Sequence, residues 1–393
     1  MIPQHGTLEI SRSRFLHNVA RLQKSAGAAH LCATIKANAY GHGIDCLGPL
    51  LEAANVPWVS TYTLHEARAI AATHGHCFNI LVLAPFVSPP DMSFKDSPLA
   101  QHLQDHHWNL RINLTDLDSA RALSRLATTW GERYTIKVHL QIDTGLTRLG
   151  IHPDAAATLC EQIAALPGLA LEGLFSHLSH GDVPHHPTLD QQRESFQKIA
   201  APLKQKFPHL LLHLQNSGGT FNLSTENLDM VRIGIALYGL QPSTTHPIVS
   251  PHTLQPIAQL TAPILAIHDR PAHIGVGYGH TFITTRQSRL AIVPVGYADG
   301  YPRQLSNTKN AIAQLRGIDV PVVGRVSMDQ IILDITGIPT ASTGLVQPGE
   351  TVTVICNNPA KPNSLDAMAT AINTIGYELA THLGTRLKRI IVD

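Results

Sequence analysis

The run Ile136-Lys137-Val138-His139-Leu140-Gln141-Ile142 is followed, after a helical stretch over 154–165, by Leu169-Ala170-Leu171-Glu172-Gly173-Leu174-Phe175. Two short apolar runs joined by a helix form the βαβ pattern of a parallel sheet. Working outward, the same rhythm recurs at 31–36, 58–61, 79–84, 109–112, 210–215 and 230–235, with further helical stretches at 65–73, 116–127 and 191–206. Eight strands alternating with helices predict a closed (β/α)8 TIM barrel over residues 1–243. After Pro242 the rhythm changes. Residues 244–255 are rich in Ser, Thr, Pro and His and read as a linker. Beyond them come strands at 257–268, 290–295, 320–323, 331–335 and 351–356 without regular helices between them. A helix over 364–383 and a strand at 389–392 complete a second, mainly β domain over 244–393, so the fold class is α/β with an appended β unit.

Composition narrows the function. A formal charge of +1 with no Lys/Arg block argues against nucleic acid or anionic membrane as a partner. The longest apolar stretch, near 80–87, is interrupted by Pro85 and is too short to span a bilayer. The start, Met1-Ile2-Pro3-Gln4-His5-Gly6, does not read as a secretory signal. The five cysteines, with no C-x-x-C, suit reduced thiols in a cytoplasm. Histidine is abundant at 24 residues, with His102 and His106 at helical spacing and His177, His180, His185 and His186 crowded together. Neither group is completed by cysteines or carboxylates, so no metal is expected.

A barrel gathers its functional residues at the C-terminal ends of its strands. The first strand closes on Lys36, within Thr34-Ile35-Lys36-Ala37-Asn38-Ala39-Tyr40-Gly41-His42-Gly43. Partial desolvation there lowers an amine's pKa and makes it a candidate Schiff-base former. On position alone, a lysine reaching out to solvent is the commoner case. The seventh strand leads into Asn216-Ser217-Gly218-Gly219-Thr220, and the eighth ends in Val231-Arg232-Ile233-Gly234-Ile235. Loops after these two strands are the usual phosphate position of the architecture.

Residues 33–43 resemble the lysine signature A-x-[IV]-K-A-N-A-Y-G-H-G of bacterial alanine racemases. The resemblance continues in family order through Asp143-Thr144-Gly145-Leu146-Thr147-Arg148-Leu149-Gly150, residues 173–177, Asn216-Ser217, residues 232–239, Gly277-Tyr278-Gly279, residues 295–300 and 324–330, and Gly376-Tyr377-Glu378. It implies a pyridoxal 5′-phosphate (PLP) enzyme that interconverts L- and D-alanine, supplies D-alanine for peptidoglycan, and works as a homodimer. It implies that Lys36 holds the cofactor and acts as one acid/base, and that Tyr278, from the second subunit, is the other. Tyr40, Ser217, Gly234, Ile235 and Tyr377 would hold the phosphate, with Asn216 nearby. His177 would pack on the pyridine ring, and Arg232 would face its nitrogen. Arg148 and the backbone of Met328 would address the substrate carboxylate and the cofactor face.

Guanidinium has donors only. Facing a pyridine nitrogen, it leaves that nitrogen unprotonated and the electron sink weak, which favours proton return over transamination. The chain departs from the family pattern at Gln141, where many members carry an N-carboxylated lysine paired with the arginine. An amide cannot take up CO2, so Arg148 is expected to be oriented by the Gln141 carbonyl or by an anion such as chloride. Thr147 and Ser327 stand where Gly and Cys are expected, which bears on selectivity more than on reaction type. Rival readings are a broader amino-acid racemase, a decarboxylase of the same fold, and a non-catalytic PLP carrier. A dinucleotide site is set aside because Gly275, Gly277 and Gly279 miss the G-x-G-x-x-G spacing.

Overall fold

A computed structural model of the chain describes residues 5–87, 98–106, 109–243, 246, 254–339 and 344–393. The N-terminal residues 1–4 and most of the expected linker, 244–245 and 247–253, lie outside these, as does the side chain of His106.

The expected barrel is present. Strands His30–Thr34, Trp58–Thr61, Asn79–Pro85, Leu110–Leu114, Ile136–Gln141, Leu169–Phe175, Leu211–His213 and Met230–Ile233 pair in parallel and in sequence order, and the last closes on the first. Each strand turns one row of residues towards the surrounding helices. Ile136, Val138 and Leu140 are fully buried in that layer. The opposite rows fill the interior, where Cys32, Trp58, Leu81 and Met230 form a separate apolar plug. The helices start where local chemistry satisfies their free N–H groups. Thr63 and Glu66 form a capping box at Leu64–His74, and the Asp116 carboxylate accepts from Ser119 N at 2.7 Å ahead of Leu117–Trp130.

The second unit is built on a six-stranded sheet in the order Ile318–Pro321, Ile312–Leu315, Thr351–Ile355, Ala258–Pro263, Thr7–Ser11, Lys388–Val392. Residues 7–11, counted with the barrel half in the sequence, therefore sit inside this sheet. They pair antiparallel with Ala258–Pro263 and parallel with Lys388–Val392, which buries Leu8 and Ile10 completely. The expected strand 257–268 divides into Ala258–Pro263 and Ala266–Arg270, which belong to different sheets. Proline cannot donate to a ladder, so Pro263 falls at the break. The expected helix 364–383 also divides, into Leu365–Ala371 and Gly376–Thr381, with Asn373 between them at φ 57°. That second, short helix turns back over the barrel mouth. Among the described residues no helix is long and apolar enough to cross a membrane.

Candidate active site

The strand before Lys36 ends at Thr34, two residues short of the lysine. Lys36 opens a turn in which Ala37, Asn38, Ala39 and Tyr40 all adopt left-handed backbone, with φ of 52°, 53°, 55° and 50°. Such backbone costs roughly 1–2 kcal/mol per non-glycine residue, so the surroundings must hold it in place. Glu66 accepts from Ala37 N at 2.7 Å, and the Asn38 side chain accepts from Ile44 N at 2.9 Å. The Arg389 guanidinium, from the C-terminal strand, donates to Gly41 O at 3.0 and 2.8 Å. Gly41 itself has φ 78°, and a Cβ there would lie 2.0 Å from Ala380 O. Both units thus clamp the turn that presents Lys36.

Lys36, Tyr40, His177, Asn216, Ser217, Arg232, Gly234, Ile235 and Tyr377 line one cleft of about 820 Å³ at the barrel mouth, together with Arg148 and Gln141. Ile375, Tyr377, Glu378 and Thr381 roof it from the short C-terminal helix and the residue before it. Lys36 Nζ has no hydrogen-bond or ion-pair partner among the described residues, and lies 5.9 Å from the Tyr62 ring centre. Burial first, then the positive charge of Arg148, pushes its amine below the usual lysine range, against an opposing pull from Glu66.

At one end of the cleft, Ser217 Oγ accepts from Gly234 N at 3.0 Å, tying the loops after the last two strands together. A Cβ on Gly234 would come within 2.6 Å of the Tyr40 hydroxyl, so only glycine leaves room for that hydroxyl beside the backbone. Tyr40 packs between Tyr238 and Tyr377, with ring centres 5.1 and 6.2 Å away. Asn216 is mainly structural: its side chain caps Ser217–Asn222 by accepting from Gly219 N at 3.0 Å.

At the floor lies Arg232, fully enclosed. It donates to His213 Nδ1 at 2.7 Å, to Ser176 O at 2.7 Å and to His177 Nδ1 at 3.2 Å, and packs over the Phe175 ring at 5.0 Å. Burial draws its pKa down to about 10, which leaves it charged at neutral pH. His177 is pushed down to about 3 by burial and then by Arg232, Arg148 and Lys36, so it faces the cleft as a neutral imidazole.

Arg148 reaches the cleft from a loop wound around Asp143, whose Oδ1 accepts from the N–H groups of Gly145, Leu146 and Thr147 at 2.9, 3.0 and 3.1 Å. Gln141 does not orient it by a direct bond. The Gln141 carbonyl oxygen accepts from Asn113 Nδ2 at 2.7 Å instead. Thr147 stands at φ 57°, a conformation that suits the glycine expected there better than a β-branched residue.

Two expected site residues are absent from the cleft lining. Tyr278 lies in the C-terminal unit between Gly277 and Gly279, both at φ 69°, and is 70% exposed. Met328 is 53% exposed, and its carbonyl accepts from Ala298 N at 3.0 Å. The sequence reading also missed the buried network beneath Arg232, in which His213 meets His139 at 2.8 Å and His139 meets Glu172 at 3.3 Å. Among the described residues no group of three or more His, Cys, Asp and Glu is arranged to hold a metal.

Residues 10–242 match the sequence model of the alanine racemase N-terminal domain, and residues 257–391 that of the alanine racemase C-terminal domain. The chain belongs to the alanine racemase family. It is 34% identical over 399 residues to the alanine racemase of Synechocystis sp., covering all of both chains. Its fold matches that of the alanine racemase from D-cycloserine-producing Streptomyces lavendulae with a TM-score of 0.85 at 27% identity, covering 100% of this chain and 98% of the other. The Bartonella henselae alanine racemase, solved with covalently bound pyridoxal phosphate, matches with a TM-score of 0.81 at 28% identity, over 99% of this chain and 100% of that one. The cleft lies at the barrel mouth, where barrels of this architecture gather their functional residues.

Proposed function

We propose that this chain is a PLP-dependent alanine racemase that interconverts L- and D-alanine and supplies D-alanine for peptidoglycan. The observation that carries the reading is the convergence in one cleft of an unpartnered, desolvated Lys36, a neutral His177, a buried Arg232 and the polar Tyr40–Ser217–Gly234 end. The residues present fit PLP. The gap kept open by Gly234, with Ser217, Tyr40, Ile235 and Tyr377 around it, suits a phosphate group. Lys36 suits an aldehyde carbon, and Arg232 suits a ring nitrogen that accepts rather than donates. Bound there, PLP supplies the electron sink that makes the Cα proton of an attached amino acid removable.

Racemisation takes a proton from one face of Cα and returns one to the other. We assign Lys36 Nζ to the face on its own side of the cleft, where its lowered pKa favours the free amine. We assign Tyr278 Oη of a second copy of this chain to the opposite face. That assignment is supported by the exposure of Tyr278 and by its absence from the lining of its own chain's cleft. A tyrosine needs nearby cations to hold and release a proton near neutral pH, and Arg148 and Arg232 line the cleft it would enter. Arg148 and the backbone of the second copy's Met328 are the carboxylate-binding groups in this reading. A cytoplasmic setting suits the cysteines, all of which are free.

The test is racemisation of L-alanine by purified protein with added PLP, beside Lys36→Ala and Tyr278→Phe. We expect turnover by the unaltered chain and losses of about 10²–10⁴-fold in each variant, the usual scale of general acid–base catalysis. Full activity of Tyr278→Phe in both directions would remove the second acid/base. Bound PLP with untouched alanine would favour a broader racemase or a carrier.

A further inference from the structure

Beneath Arg232 the barrel interior holds a file of ionisable groups, buried except at its Glu172 end, that proton transfer at Cα does not use. Arg232 Nη1 meets His213 Nδ1 at 2.7 Å, His213 Nε2 meets His139 Nδ1 at 2.8 Å, and His139 Nε2 meets Glu172 Oε2 at 3.3 Å. Glu172 is held in turn by Nε and Nη2 of Arg111, at 2.7 and 3.1 Å, and by Lys137 at 3.4 Å.

The chemistry of the two ends leaves one arrangement of protons. Arginine has only donors, so His213 Nδ1 must accept, and the proton of a neutral His213 sits on Nε2. That proton points at His139 Nδ1, which must therefore accept, and the His139 proton sits on Nε2 facing Glu172. A carboxylate accepts there without conflict. Every hydrogen bond in the file then runs from Arg232 towards Glu172. Burial lowers the pKa of both imidazoles, and the bonds from His139 and Arg111 outweigh burial to hold the Glu172 carboxyl well below its usual range. The charges are thus sorted as cation, two neutral rings and anion.

The backbone is shaped for this file. Val138 pairs with Leu171 and His139 with Gly173, so the ladder slips by one residue and Glu172 sits in a bulge. Bulges re-aim side chains next to functional sites. A Cβ on Gly173 would lie 2.4 Å from His139 Nδ1, so glycine leaves the ring its space. Phe175 stacks flat on His213 at 4.8 Å, holding that ring in plane.

We propose that Glu172 is a positioning residue that acts through His139 and His213, locking from the far end the donor direction that Arg232 sets, so that His213 always presents an acceptor to Arg232. Its effect on catalysis rests on the reading that Arg232 faces the cofactor's ring nitrogen; the proton arrangement does not. A glutamine at 172 can offer His139 either an oxygen or an NH₂. The direction is then held from the Arg232 end alone, and molecules in which it reverses turn a His213 N–H against the guanidinium.

The test is side-chain ¹⁵N NMR of ¹⁵N-histidine-labelled protein, with His139 and His213 assigned by single His→Gln variants, on the unaltered chain, Glu172→Gln and a Lys137→Gln control. The unaltered chain and the control should show both rings neutral and protonated on Nε2 between about pH 6 and 8, where a free imidazole would titrate. Glu172→Gln should show a mixed or reversed pattern, with kcat for alanine down about tenfold or more and KM little changed. A positively charged His213, or an Nδ1–H tautomer on either ring of the unaltered chain, overturns the proposal without requiring any variant to fold. So does a Glu172→Gln protein with unchanged tautomers and kcat. Correct tautomers in a protein that does not racemise alanine would sink the functional reading and leave the file standing.

Discussion

Thr147 shows how a single side chain can depart from its family and leave a measurable trace. It occupies left-handed backbone in the loop that delivers Arg148, with its N–H held by Asp143. For an L-residue that conformation costs roughly 1–2 kcal/mol, of which the extra freedom of glycine in the unfolded chain returns a part. Thr147→Gly should therefore stabilise the protein by about 1 kcal/mol, readable as a raised midpoint in urea at unchanged slope. A lowered midpoint would mean that the threonine makes a compensating contact. Gln141 leads to a second expectation. Its amide cannot be carboxylated, and its oxygen is engaged by Asn113. Exhaustive removal of bicarbonate should leave the racemisation rate unchanged, whereas recovery on adding bicarbonate would refute this.

Among the elements, the short helices over the barrel mouth are where chemistry and stability meet. Asp366, in the first turn of Leu365–Ala371, accepts from Gln241 N at 3.1 Å and so joins the end of the barrel segment to the C-terminal unit. Burial raises its carboxyl from 3.8 to about 6, with the Gln241 bond opposing in part. The folded protein then holds this proton more tightly than the unfolded chain. Its contribution is favourable below the unfolded value and is lost as pH rises from 3.8 to about 6. Above that window the buried charge costs about 2–3 kcal/mol, at 1.36 kcal/mol per pKa unit. Asp366→Asn keeps an acceptor for Gln241 and removes the charge. We expect it to raise the melting temperature at pH 7.5, with much less gain at pH 4. An equal shift at both pH values would show that ionisation is not the cause.

The eight barrel strands were legible in the sequence because each is a compact apolar run between helices, and none depends on a distant partner to be recognised. The strand Thr7–Ser11 was not, since it acquires its partners only when residues 258–263 and 388–392 come together. The break in the last helix was hidden because 364–383 keeps a helical rhythm through Asn373. Lys36, Tyr40, Ser217, Arg232 and Gly234 stood out through their motifs and their positions after strands. His139, Glu172 and Arg111 did not, because polar residues alternating along a strand read as a solvent face. Only closure of the barrel turns that face inward.

At the scale of the whole molecule, one chain's cleft has a lysine, an arginine floor and a polar end at Tyr40, Ser217 and Gly234, and its own Tyr278 does not line it. Tyr278 and Met328 stand exposed on the C-terminal unit. In the proposed assembly each barrel is completed by the other copy's C-terminal unit, so each site draws Lys36 from one chain and Tyr278 from the other. The direct test is to mix inactive Lys36→Ala and Tyr278→Phe proteins under conditions that let subunits exchange. Random reassortment makes half the dimers mixed, each with one intact and one doubly altered site, so about a quarter of the unaltered activity should return. Failure to recover activity, with mixed dimers demonstrated by mass spectrometry, would contradict a site shared between two chains.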